Sequence, residues 1–93
     1  MSGQHVKRND ALDRYELSVD GHIAVAEFKR EGGVVTFTHT GVPSLLEGRG
    51  VGSELIAGAL EDVRKRNLKI VAKCPFVAKY VDSHSDARDL LAS

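Results

Sequence analysis

Three glycines at alternate positions, Gly48, Gly50 and Gly52, lie within Glu47-Gly-Arg-Gly-Val-Gly-Ser53 and lead directly into an amphipathic pattern. Glycine lets a backbone approach a ligand closely. The first turn of the helix that the pattern predicts carries unpaired N–H groups and the positive end of the macrodipole. Loop and helix start together describe an anion site made of main chain. Arg49 adds a guanidinium suited to phosphate oxygens, and the anion expected in the loop is a pyrophosphate. Two common owners of such a group fail. A dinucleotide fingerprint needs Gly-x-Gly-x-x-Gly, but its third glycine falls on Ser53 or Leu55, depending on the frame. A Walker A loop needs Lys then Ser or Thr after its last glycine, whereas Ser53 and Glu54 follow Gly52.

The other reactive residues are sparse. A single cysteine, Cys74, excludes an internal disulfide and any multi-cysteine metal site. His5, His22, His39 and His84 show no ligand-like pairing, so no metal is expected. The formal net charge of zero argues against an electrostatic hold on nucleic acid or an anionic membrane. No apolar run is long enough to span a bilayer or to form the core of a signal peptide, and a cytoplasmic protein, monomeric or weakly dimeric, is expected.

The elements that must position these residues follow from periodicity. Residues 1–13 are polar without a period and read as a flexible lead-in, with a single domain over 14–93. Tyr15, Leu17 and Val19 alternate with polar residues, Asp20-Gly21 supplies a hairpin turn, and His22–Arg30 forms the return strand. Gly32-Gly33 turns the chain again into Val34–Thr40, giving a three-stranded antiparallel meander. Strict alternation on that third strand puts Val35, Phe37 and His39 on one face and Thr36, Thr38 and Thr40 on the other. Val51, Leu55, Ile56, Ala59, Leu60 and Val63 then recur at helical spacing, Glu61/Lys65 and Asp62/Arg66 are placed to pair, and Asn67 suits the stop. Leu68–Cys74 reads as a short strand. A strand, helix, strand order implies a crossover and parallel pairing with Val34–Thr40, so the sheet is mixed. Short helical segments are expected over Val77–Asp82 and Asp86–Leu91.

This order, with the local words His39-Thr40-x-Val42-Pro43, Gly48-x-Gly50-x-Gly52-Ser53 and Cys74-Pro75-Phe76-Val77 followed by Tyr80, resembles the GNAT-type acetyltransferases, in particular the small yjdJ-type proteins that form a minimal GNAT subgroup. The likeness covers about residues 14 to 92. It departs at Gly41, commonly acidic in such proteins, and at Glu47, where a basic or amide residue is usual. The resemblance implies an α+β GNAT-like domain that binds acetyl-CoA and transfers acetyl to an amine on a small molecule or a protein lysine. A reading from another class is a non-catalytic acyl-CoA-binding or interaction module. It also implies a cofactor site made of Val42, Gly48, Arg49, Gly50, Val51, Gly52, Ser53, Cys74, Pro75, Phe76 and Tyr80, with the pantetheine arm inserted where two parallel strands splay near His39–Val42 and Lys73-Cys74.

His39, Cys74 and Tyr80 are the catalytic candidates under that resemblance. In direct transfer, His39 or a water deprotonates the amine, while Tyr80 or a backbone N–H assists the departing sulfur. In the covalent alternative, His39 lowers the pKa of Cys74, which takes the acetyl group first. Direct transfer, the usual GNAT route, is the preferred expectation. Each residue also has a plain structural reading: Cys74 as a small buried side chain, His39 as a hydrogen-bonded histidine at the core rim, Tyr80 as packing, Arg49 and Ser53 as solvated surface.

Overall fold

The computed structural model describes residues 6–92. One sheet runs in sequence order through β1 (Val6–Asn9), β2 (Arg14–Val19), β3 (His22–Glu31), β4 (Val34–Gly41) and β5 (Lys69–Ala72). The first four strands pair antiparallel and β4–β5 is parallel. Between β4 and β5 come a 3-10 turn at Ser44–Leu46 and helix α1 (Val51–Lys65). Helix α2 (Pro75–Ser83) and a second 3-10 segment at Ser85–Leu90 follow β5. The meander therefore has four strands rather than three. The expected lead-in over 1–13 is corrected by β1, which pairs Val6 with Leu17 and Arg8 with Tyr15; residues 1–5 of that lead-in lie outside the described residues.

The expected punctuation holds. Asp20 and Gly21 both adopt positive φ (50° and 78°), as a tight two-residue hairpin requires, and Asn67 ends α1 in the left-handed region at φ 57°. Helix α1 lays Val51, Leu55, Ile56, Ala59, Leu60 and Val63 toward the sheet and packs across β1, β2 and β3, while α2 packs against β4 and β5. The inward strand residues Tyr15, Leu17, Ala24, Ala26, Phe28, Val35, Phe37 and Ile70 complete one core with Val77 and Val81 of α2. Each fully buried Leu, Ile, Val or Phe contributes about 1.5–3 kcal/mol relative to exposure.

At one corner the core carries a polar clamp. The Tyr15 hydroxyl, on a fully buried ring, donates to Asp62 Oδ2 at 2.6 Å. Arg66 meets the same oxygen at 2.8 Å, the i,i+4 pair that the spacing predicts. Arg8 of β1 lies 3.6 Å from Asp62 and 3.3 Å from the Tyr15 oxygen, with its guanidinium over the rings of Tyr15 and Phe28. The side chain of Arg8 is 6% exposed and is shared between Asp10, at 2.6 Å, and Asp62 of the first helix, so β1 is tied to α1 through this cation.

Candidate functional site

The glycine-rich stretch begins on a firm footing. Leu46, 1% exposed, anchors the 3-10 turn in the core, and the chain then passes through Gly48 and Gly50, both left-handed at φ 81° and 75°. Gly50 is the N-cap of α1, so the helix begins at Val51 and Gly52 lies inside its first turn. A Cβ on Gly52 would lie 2.6 Å from Phe76 Cζ. The third glycine thus lies in the helix rather than in the loop, with an aromatic ring from α2 close over it. Among the described residues, the N–H groups of Gly48, Gly50, Val51, Gly52 and Ser53 have no acceptor within the protein, the nearest helical bond being Glu54 N–H to Gly50 O at 3.0 Å. Arg49 points elsewhere: its guanidinium bonds Asp20 Oδ2 at 3.0 Å in the β2–β3 turn, an exposed pair that contributes little to stability.

The strand fork lies beside this loop. Parallel pairing runs from Val34/Lys69 to Phe37/Ala72 and stops. The Phe37 carbonyl accepts from both Lys73 and Cys74 N–H, at 3.1 and 2.9 Å, and Pro75 then opens α2. Beyond this point β4 continues to Gly41 with β3 as its ladder partner. The splay expected from the resemblance is present, and it begins earlier than residues 40 and 74.

A β-bulge decides which side chains enter the fork. Phe28 pairs with Phe37 but Glu27 pairs with His39, so Thr38 is an extra residue in β4. An inserted residue reverses the alternation beyond it. Thr40, opposite buried Ala26, turns to the core side, and its hydroxyl lies 3.3 Å from Cys74 Sγ. His39, opposite Glu27, is exposed on the other face, where its ring approaches Gly41. The expectation that His39 ends the Val35–Phe37 face and meets Cys74 is therefore corrected: the thiol's partner is Thr40.

Cys74 is 4% exposed and caps α2. Burial pushes its thiol up, but the Thr40 hydroxyl and the N–H groups of Val77, Phe76 and Thr40 outweigh burial and hold it below its ordinary value. The α2 amides face Sγ without making a full capping hydrogen bond.

Thr40, Val42, Glu47, the loop glycines, Ser53 and Phe76 line one open cavity of about 340 Å³ that joins loop to fork. Tyr80 is not among them. It borders a neighbouring recess of about 230 Å³ with Ser53, Phe76, Lys79, Ser83 and His84. Its ring stacks on His84 at 3.9 Å, and burial together with Asp86 raises its phenol pKa. Pro75 is exposed at the first turn of α2. Sequence reasoning missed Thr40, whose only signal was its place between His39 and Val42, and His84, which stands one helical turn after Tyr80. Among the described residues no cluster of His, Cys, Asp and Glu is placed to hold a metal, and no helix is long and apolar enough to cross a membrane.

A mixed sheet that opens beside a glycine-capped helix, with a cavity running from one to the other, is the architecture of an acyl-transfer domain. Residues 14–90 match the family model of GCN5-related N-acetyl-transferases, and the chain belongs to that family of N-acetyltransferases. It is also similar to a GCN5-like candidate N-acetyltransferase from Staphylococcus aureus solved in solution by NMR. The two share 26% identity with a TM-score of 0.73, over 100% of this chain and 92% of that one.

Proposed function

We propose that the protein transfers acetyl from acetyl-CoA to an amine, working as one domain. The observation that carries this reading is the run of N–H groups at Gly48, Gly50, Val51, Gly52 and Ser53 without protein acceptors, opening into the same cavity as the β4–β5 fork. Donors left together at a helix start suit a pyrophosphate. Strand edges that end their ladder at Phe37 and Ala72 suit a ligand that carries amides of its own. The thioester end then falls near Thr40 and Cys74, where Val42 and Phe76 limit water.

Amine attack on the thioester carbonyl requires a neutral amine, hydrogen bonds to the developing oxyanion and a proton or donor for the departing sulfur. The Thr40 hydroxyl, 3.3 Å from Cys74 Sγ, is the side-chain group placed to hydrogen-bond the oxyanion or the departing sulfur. The covalent route through Cys74 loses its expected base, because His39 sits across the strand. Direct transfer is therefore retained, with Cys74 buried behind Thr40 and with His39, or a water beside it, accepting the proton of an amine that approaches from the opposite face of β4.

Titration calorimetry with CoA and an assay of CoA release with an amine panel test the reading. Gly50→Val puts a β-branched residue at φ 75° on the anion site, and CoA affinity is expected to fall about 100-fold or more while the far-ultraviolet spectrum persists. Unchanged affinity in the folded variant would reject the loop assignment. Binding with no amine-dependent release in the wild type would favour the non-catalytic module. Cys74→Ala is expected to keep most turnover; near-total loss with intact binding and an acetyl adduct on Cys74 would reinstate the acetyl-cysteine route.

A further inference from the structure

We infer that the uncovered face of the sheet selects the acceptor: a small amine that also carries an anionic group, a carboxylate or a phosphate. This inference rests on the transfer reading above and concerns which amine that reaction takes. Lys29, Thr36 and Lys73 alternate with the core residues Phe28, Phe37 and Ala72, so they share the face away from the core. With Thr38 they line a concavity of about 590 Å³, a volume suited to a small molecule. The concavity reaches the fork. Lys73 donates its N–H to the Phe37 carbonyl at 3.1 Å where the parallel ladder ends, and Thr38 precedes His39. Beyond Phe37 and Ala72 the two strands no longer close the sheet, so an amine on this face can meet the thioester through the gap.

The charges there are arranged for a zwitterion. Lys29 and Lys73 are exposed, and among the described residues neither makes an ion pair. Arg30 adds a third cation to the lining. Its two acidic members stand away from the fork: Asp13 lies across β3, its carbonyl accepting from Phe28 N–H at 3.0 Å, and Glu31 ends that strand. Glu27, half-buried opposite His39, has no ion pair among the described residues either, and it draws an ammonium to the group that is to take its proton. Glu27 and Lys29 face the same side two residues apart, about 7 Å along the strand. A molecule with its amine at Glu27 and His39 and its anion at Lys29 and Lys73 satisfies both ends, and the Thr36 hydroxyl, opposite Lys29, adds a donor for the anion. A diamine would set its second ammonium against the two lysines.

The test measures CoA release with ω-aminohexanoate, ω-aminopentyl phosphate, hexylamine and hexane diamine. Its readout is kcat/KM for each anionic amine divided by that for hexylamine, a ratio that a general loss of activity leaves unchanged. Wild type is expected to favour at least one anionic amine about tenfold and to use the diamine least. Lys29→Met and Lys73→Met are each expected to lower the ratio about threefold, as the loss of an exposed ion pair would, and the double variant to erase it. A preference for one anion alone supports the subsite and identifies its group. A wild type that favours neither anion or prefers the diamine, or a folded double variant that keeps the full ratio, would overturn the subsite and leave the transfer reading intact. Absence of CoA release with every amine, in a protein that binds CoA, would overturn both.

Discussion

The two ends of the sheet handle polar groups in opposite ways. At the β1 corner, Tyr15, Asp62, Arg66 and Arg8 satisfy one another. At the fork, among the described residues, five N–H groups of the glycine loop and the first turn of α1 have no acceptor, and the β4–β5 ladder stops at Phe37 and Ala72. A buried polar group is costly unless it is paired, and a fold of this size tolerates few such debts. The closed corner holds the helix against the sheet, and the open end, carried by the other end of that helix, is where a ligand can supply what is missing.

If this contrast is right, changes at the corner alter stability without altering affinity, and changes at the fork do the reverse. The largest effect is expected from Asp62→Ala, which strips the acceptor from Tyr15 and a counter-charge from nearly buried Arg8. Urea denaturation should show a loss of about 3 kcal/mol with CoA affinity in the folded protein unchanged. Tyr15→Phe removes only the donor and should cost about 2 kcal/mol.

Tyr15 also carries a pH signature. Burial and Asp62 raise its phenol pKa above the ordinary 10.0, so the unfolded chain ionises first. Its stabilising contribution is complete below about pH 10 and is lost as pH rises beyond it, and Tyr15→Phe should flatten that limb of the stability profile. At the fork, Thr40→Val should change stability by about 1 kcal/mol or less but raise the Cys74 pKa, since one of the groups that favours the thiolate is gone. The thiolate absorbance, which comes from a single cysteine, should shift to higher pH. The smallest effect is expected from Gly52→Ala, whose methyl meets the exposed edge of Phe76 and can push the ring aside: stability within about 1 kcal/mol, and a few-fold change in CoA affinity.

What the sequence disclosed follows the range of each interaction. Helix α1 was legible because six apolar residues share one face, and the Asp20-Gly21 turn because its dipeptide is specific. Strand β1 was not, since within Val6–Asn9 only Val6 is apolar; its place depends on pairing with Arg14–Leu17 and on a cation sheltered by Tyr15, Phe28 and Asp62. The glycine loop was read as an anion site from its own residues, yet the ring close over Gly52 comes from 24 positions on, in Phe76. His39 and Thr40 were exchanged because Thr38 is an ordinary strand residue, and nothing local announces that it will go unpaired.

That one residue also makes the fork sensitive to counting rather than to chemistry. Replacing Thr38 with another β-former leaves the parity of β4 intact. Losing its codon would only remove the bulge, with His39 still opposite Glu27 and Thr40 still opposite Ala26. What would exchange them is a β4 that keeps Thr38 without the bulge, which pairs Thr38 with Glu27 and sets His39 opposite Ala26, toward Cys74. The native register thus keeps the histidine and the cysteine apart by leaving one residue unpaired.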